Sequence, residues 1–166
     1  MNLMKLTLEA AKMLLAAAER KARELALSEV IAIVDEGANL LALHRMDNAR
    51  IAAIDIAINK AWTSAAMKMP TSNLSEAALP GGPSFGINTT NQGRIVILGG
   101  GIPLVKKGII VGGVGVSGGT SAQDIEVANA AVQAFESIHE RGGSPIATVR
   151  IGTSNSTHPS PYFIRE

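Results

Sequence analysis

The sequence predicts an α+β fold in which helices flank an antiparallel sheet of about five strands. Short β-branched runs follow one another across tight turns, which is typical of antiparallel hairpins. Segments with helical spacing of apolar residues stand at the start, middle and end of the chain. A doubly wound parallel sheet would instead place a helix after almost every strand, so that class is not favoured.

The first part of the chain predicts a helix followed by a hairpin. Apolar residues recur at spacings of three and four over residues 7–27, and Thr7 is suited to cap this helix. Two apolar runs, residues 29–35 and 40–45, enclose the turn-forming sequence Asp-Glu-Gly-Ala-Asn and predict two paired strands.

A second helix is predicted over residues 49–69, with Asp47 suited to cap it and Pro70 ending it. This helix is apolar on most of its faces, which is typical of a helix that is buried on most of its faces. In a domain of this size the pattern favours self-association.

Glycine is concentrated in the second half, since only Gly37 of the 17 glycines precedes residue 80. Glycine inside a strand indicates a bulge or a place where another group approaches closely. Thr120 and Gln123 have the spacing of a capping box and predict a last helix that runs to about residue 140. Strands are predicted over residues 94–98, 104–105 and 109–116.

The domain is expected to span residues 5–141, with residues 142–166 as a C-terminal extension. Pro, Ser and Thr are frequent in this extension, which is expected to be partly flexible or to contact a neighbouring subunit. One strand is predicted inside it, over residues 146–151.

The composition of the 166 residues excludes several classes of protein. Without cysteine the chain has no disulfide scaffold, Fe–S cluster or thiolate metal site. The 15 Lys and Arg residues nearly balance 14 Asp and Glu, and aromatic residues are only 3%, so no nucleic-acid partner is expected. No apolar run approaches the ~20 residues of a membrane span and no secretory signal is present, which predicts a cytoplasmic protein without a membrane partner.

A glycine-rich segment, Val-Gly-Val-Ser-Gly-Gly-Thr, leads from a strand into the last helix. Free backbone N–H groups at such a point bind carboxylates or phosphates. The alternative is a tight turn that holds no ligand. The segment has neither a P-loop ending nor a dinucleotide fingerprint. The candidate binding residues are Ser117, Gly118, Gly119 and Thr120.

Lys60 lies in the middle of an otherwise apolar helix, where an ammonium group must snorkel, pair with a carboxylate or line a pocket. Asp124, near the start of the last helix, is its candidate partner. With Arg45 and Asp47 these charges form either a structural ion-pair network or a site. For a site, the candidate acid–base residues are Lys60, Asp124 and Asp47.

The three histidines are far apart in the sequence, so no metal-ligand spacing is present and no metal site is expected. His44 lies in a predicted strand between apolar residues and is the candidate ligand of haem iron. The alternative is a structural histidine.

Several segments together resemble the GlcG/HbpS haem-binding protein family, to which a C-terminal domain of PduO-type cobalamin adenosyltransferases is related. With the first helix the resemblance covers about residues 5–136. The segments are IAIVDEGANLLALHRMDNA at 31–49, NKAWTSA at 59–65, Gly-Gly-Gly-Ile-Pro at 99–103 and IIVGGVGVSGGTSAQDIEVANAA at 109–131.

The resemblance implies homo-oligomers, often tetramers or octamers, and haem binding, with haem breakdown or redox sensing in some members. Residues 45–47, Lys60 and Asp124 match recurring positions of the family. The glycine that usually follows Arg-Met-Asp is Asn48 in this chain.

Three functions follow as hypotheses. The first is a cytoplasmic homo-oligomer that binds haem or a related tetrapyrrole, with His44 on the iron and Arg45 or Lys60 pairing the propionates. The second is an enzyme that acts on a small carboxylate by acid–base chemistry of the tautomerase, hydratase or lyase type. The third is a non-catalytic accessory protein of a glycolate or diol/cobalamin operon.

Overall fold

The computed structural model of this chain describes residues 2–140 and 146–150. Its helices and strands alternate irregularly along the chain. In order they are β1 (Asn2–Leu6), α1 (Leu8–Glu24), β2 (Val30–Asp35), β3 (Leu40–Arg45), α2 (Ala52–Met67), α3 (Asn73–Ala77), β4 (Gly101–Lys106), β5 (Ile109–Ser117), α4 (Ser121–Glu140) and β6 (Ile146–Arg150).

The main sheet of the described residues has the order β3-β2-β5-β4, and each neighbouring pair is antiparallel. This confirms the predicted α+β class with helices at the start, middle and end, although the sheet has four strands rather than about five. Because side chains alternate along a strand, β2 supplies two cores. Ile31 and Ile33 pack with α1 and α4, whereas Val30, Ala32 and Val34 pack with α2.

The glycines of β5 let α2 lie close to the sheet. A Cβ atom on Gly115 would overlap the carbonyl oxygen of Ala57, and one on Gly113 would lie 2.7 Å from that of Ala61. α2 presents small side chains to this strand, at intervals of four residues. Glycine in this strand therefore marks the close approach of a helix. The row comprises Ala53, Ala57, Ala61 and Ala65.

The strand predicted over residues 94–98 is wrong, because this segment bonds to side chains rather than to a neighbouring strand. Thr63 Oγ1 donates to the Arg94 carbonyl at 3.1 Å. Thr71 Oγ1 donates to the Leu98 carbonyl at 2.6 Å. Backbone groups that a sheet would pair are thus satisfied by hydroxyl groups.

The strand predicted in the C-terminal extension is confirmed as β6. It pairs antiparallel with β1, a strand that the sequence pattern did not predict. The rest of residues 142–166 lies outside the described residues, so the expected flexibility or subunit contact of the extension stays a prediction.

Two of the three predicted helix caps are confirmed. The Ala10 N–H donates to Thr7 Oγ1 at 3.1 Å at the start of α1. At the start of α4, the Thr120 N–H donates to Gln123 Oε1 at 2.9 Å, and the Gln123 N–H donates to Thr120 Oγ1 at 3.3 Å. This reciprocal pair is a capping box.

The predicted cap by Asp47 is wrong. α2 begins only at Ala52, and no side chain of the described residues caps it. Between the two lies a turn in which Asn48 has a φ of 67°, a left-handed conformation that Asn tolerates better than most residues. Asn48 therefore fits a turn where the resembling family usually has glycine.

Candidate functional site

Lys60 and Asp124 form the predicted ion pair in the interior of the protein. Lys60 Nζ lies 2.5 Å from Asp124 Oδ2 and donates to the Val116 carbonyl at 2.9 Å. Both side chains are almost fully buried, with exposed fractions of 2% and 4%. A buried pair of this kind costs desolvation energy, so it is retained only where the geometry and the remaining hydrogen bonds are good.

Glycines make the space for this pair. A Cβ atom on Gly100 would lie 2.8 Å from Asp124 Cβ and 3.0 Å from Lys60 Nζ. Gly100 also has a φ of 119°, which L side chains rarely adopt. Glycine at position 100 thus leaves room for the side chains of the ion pair.

The backbone amides that the glycine-rich turn was expected to offer are partly used by the protein. The Gly119 N–H donates to Asp124 Oδ1 at 2.9 Å. The Thr120 N–H is held by Gln123 in the capping box. An anion at this turn would therefore depend on other donors than these two amides.

A pocket of about 180 Å³ opens above the ion pair, between the start of α2, the end of β5 and the first turn of α4. At its edge the Arg50 guanidinium donates to the Gly118 carbonyl at 2.8 Å. The pocket is smaller than the ~300–1,000 Å³ of typical ligand sites, so it suits a small molecule and not a porphyrin. Five predicted site residues line it: Lys60, Ser117, Gly118, Gly119 and Asp124.

Glu29 is a second buried acid beside the pair. Its side chain is fully buried, and neither carboxyl oxygen has a hydrogen-bond partner among the described residues. Burial, reinforced by the nearby Asp124 carboxylate, raises the pKa of Glu29 to about 7, while the Lys60 ammonium acts in the opposite direction. A Cβ atom on Gly119 would lie 3.1 Å from Glu29 Oε1, so this carboxyl lies against a residue that lines the pocket.

His44 lies elsewhere, on the edge strand β3. Its Nδ1 lies 2.7 Å from Glu19 Oε2 of α1, and 41% of its side chain is exposed. Arg23 also binds Glu19, with Nη2 2.5 Å from Oε1. The hydrogen bond from Arg23 is the largest cause that lowers the pKa of Glu19, with a smaller contribution from His44.

The remaining predicted site residues do not line the pocket. Thr120 belongs to the capping box, and Arg45 donates to the Ala49 carbonyl at 3.0 Å. Asp47 is exposed in the turn before α2. The structure thus brings Lys60 and Asp124 together and leaves Asp47 apart from them, and the catalytic roles assigned to all three stay predictions.

Sequence reasoning missed Glu29, Arg50 and Glu19. Glu29 stands where a strand begins, a position that usually reaches solvent, so no local pattern indicates its burial. The spacing of apolar residues places Glu19 on a helix but cannot show that it faces His44 of another element.

Within residues 2–140 and 146–150, no three His, Asp or Glu side chains are grouped so that they could hold a metal ion. No helix in the same residues is long and apolar enough to cross a bilayer.

Comparison with known proteins decides the family. The family model described as "Haem degrading protein HbpS-like" matches residues 6–133. The chain belongs to the HbpS-like family. The match covers most of the predicted domain, whose C-terminal boundary at residue 141 stays a prediction.

Three relatives place the chain within this family. It is 42% identical over 133 residues to an uncharacterised 15.0 kDa protein from the dhaT–dhaS intergenic region of Citrobacter freundii, covering 80% of this chain and 94% of that protein. It is 37% identical over 132 residues to the corrinoid adenosyltransferase PduO of the same organism, of which it spans only 39% while 80% of this chain is covered. A crystal structure of a PduOC–haem complex shares 36% identity, with a TM-score of 0.76, and covers 78% of this chain and 94% of the other.

Proposed function

We propose that this HbpS-like protein is a cytoplasmic homo-oligomer that binds haem or a related tetrapyrrole, with His44 as the iron ligand. The observation that carries the proposal is the similarity to the PduOC domain that was crystallised with haem. The cytoplasmic location is an expectation from the sequence, and the tetrameric or octameric state is what the family resemblance implies.

The surroundings of His44 fit the role of an iron ligand. An imidazole that ligates a metal usually bonds through its other ring nitrogen to a carboxylate, a backbone carbonyl or water, which fixes the ring and raises its basicity. Glu19 supplies such a carboxylate at Nδ1. Nε2 has no hydrogen-bond partner among the described residues and is therefore the nitrogen available to iron.

The strand around His44 offers apolar surface for a porphyrin. Leu40 is 50% exposed at the start of β3, and Leu41, which packs with the core on the α1 side of the sheet, is partly exposed. β3 is also an edge strand, with β2 as its strand neighbour in the main sheet. Haem, when bound, would supply a redox-active iron at this edge.

Arg23 lies at the same surface, since it shares Glu19 with His44 and its side chain is 67% exposed, so it is a candidate partner for a haem propionate there. Lys60 is engaged with Asp124 in the interior, and Arg45 is engaged with the Ala49 carbonyl. For Arg45 to pair with a propionate as predicted, its hydrogen bond to the Ala49 carbonyl would have to break.

Haemin titration followed at the Soret band tests the proposal. Wild-type protein is expected to show saturable binding, and His44→Ala to lose at least tenfold in affinity or to change the Soret position. His139→Ala, on α4, is the matched histidine control and should bind as the wild type does.

Two results would count against the proposal in different ways. An absence of saturable binding by the wild type overturns haem binding itself. Equal titrations and spectra for the wild type and His44→Ala overturn His44 as the ligand.

A further inference from the structure

The pocket above the ion pair has unused hydrogen-bond donors. Arg50 donates one N–H to the Gly118 carbonyl, and a guanidinium group has five N–H donors. Lys60 makes two hydrogen bonds and has three N–H groups. Ser117 and Ser121 also line the pocket, and their hydroxyl groups have no hydrogen-bond partner among the described residues.

The acceptors of the pocket are largely used. Asp124 Oδ1 accepts from the Gly119 N–H and Oδ2 accepts from Lys60. Because unused donors outnumber unused acceptors in the pocket, a suitable ligand must carry hydrogen-bond acceptors. Arg50 and Lys60 outnumber the single Asp124 carboxylate in the lining, and with the little space available this favours a small anion, since charged hydrogen bonds to a carboxylate are stronger than neutral ones.

Glu29 adds a group that can exchange a proton. It is fully buried, neither oxygen has a hydrogen-bond partner in the described part of the chain, and it lies against Gly119 at the wall of the pocket. The charged groups that act on it are Lys60 from α2 and Asp124 from α4. A further negative charge in the pocket would favour the protonated form of Glu29, because like charges disfavour ionisation.

We propose that this pocket binds a small monocarboxylate, with Arg50 and Lys60 as its hydrogen-bond donors and Glu29 as the group that takes up a proton on binding. The site is separate from the haem surface, because His44 does not line this pocket. The two proposals can therefore fail independently.

Acetate is the probe, with acetamide as a neutral analogue of similar shape. Isothermal titration at pH 7.5 should show saturable binding of acetate and at least tenfold weaker binding of acetamide. Arg50→Gln should weaken acetate binding at least tenfold. Arg20→Gln, an exposed arginine of α1, is the matched control and should leave it unchanged.

Titration in two buffers with different enthalpies of ionisation measures the number of protons that the protein takes up when acetate binds. Wild-type protein should take up a fraction of a proton per acetate bound at pH 7.5, and Glu29→Gln should abolish this uptake. If Glu29→Gln does not fold, the affinity of the wild type should still fall as the pH rises above 7, by up to tenfold per pH unit.

Three outcomes would overturn the proposal. Absence of saturable acetate binding, or equal binding by Arg50→Gln and the wild type, removes the site. Acetate binding that is independent of pH and takes up no proton removes the role of Glu29. None of these results bears on the haemin titration.

Discussion

His44 and Glu19 meet at an edge of the sheet that is partly open to solvent, whereas Lys60 and Asp124 meet in the interior. Both are pairs of a basic and an acidic side chain at hydrogen-bond distance, 2.7 Å and 2.5 Å. Their exposed fractions differ, at 41% and 25% for the first pair and 2% and 4% for the second. The difference determines what each pair can contribute to stability and to ligand binding.

An exposed pair keeps most of its hydration, so it contributes little to stability and remains accessible to a ligand. A buried pair has given up its hydration, so each partner depends on the other. In this protein the buried pair also has a neighbour, Glu29, for which residues 2–140 and 146–150 provide no hydrogen-bond partner. Substitutions in the interior cluster are therefore expected to change the stability of the protein more than substitutions in the edge pair, which remains accessible to a ligand.

Removing one charge of the buried pair should have the largest effect. Asp124→Asn leaves the Lys60 ammonium buried without its carboxylate, which costs about 3–5 kcal/mol of the free energy of unfolding. Urea denaturation followed by circular dichroism measures this loss.

The double variant Lys60→Met, Asp124→Asn is the control for the same pair. It should lose less free energy than the sum of the two single variants, because neither charge is then left alone. Additive losses would mean that the two groups do not depend on each other, and the contrast with the edge pair would fail.

Glu29 should make stability depend on pH. Its pKa is about 7 in the folded protein and 4.5 for an ordinary Glu, so between these values the folded state binds more protons than the unfolded state. Stability therefore falls as the pH rises from 4.5 to 7, by up to about 3 kcal/mol from this group, and the loss persists at higher pH.

Denaturation curves at pH 5, 7 and 8.5 check this dependence. Glu29→Gln should reduce the fall, while Glu136→Gln, an exposed glutamate of α4, should leave it as in the wild type. Equal pH dependence of the wild type and Glu29→Gln would show that Glu29 does not carry the buried charge.

The fold could be predicted largely because its determinants are local. The caps at Thr7 and Thr120, the Asp-Glu-Gly-Ala-Asn turn and the apolar runs of β2 and β5 each reveal an element within a few residues. Residues 94–98 misled the prediction because hydroxyl groups from distant residues, such as Thr63 and Thr71, take the place of a strand neighbour.

The candidate site could be predicted only in part. Lys60 is conspicuous because it interrupts an apolar helix. A buried ammonium group needs a carboxylate partner, and this requirement indicated Asp124. Glu29 has no such contrast at the start of a strand, and Gly118 and Gly119, which lie against it, are distant in the sequence. Side chains that meet only because three elements pack together produce no recognisable pattern in a single sequence.

The smallest effect on stability is expected at the edge pair. Glu19→Gln removes the acceptor of His44 and Arg23 at a partly exposed position, so it should change the free energy of unfolding by less than about 1 kcal/mol. The same substitution should weaken haemin binding roughly tenfold, because the carboxylate orients the imidazole and raises its basicity. Denaturation and Soret titration of one preparation measure both quantities, with Glu24→Gln of α1 as the control. A loss of several kcal/mol, or unchanged haemin affinity, would contradict the view that this pair serves a ligand rather than the fold.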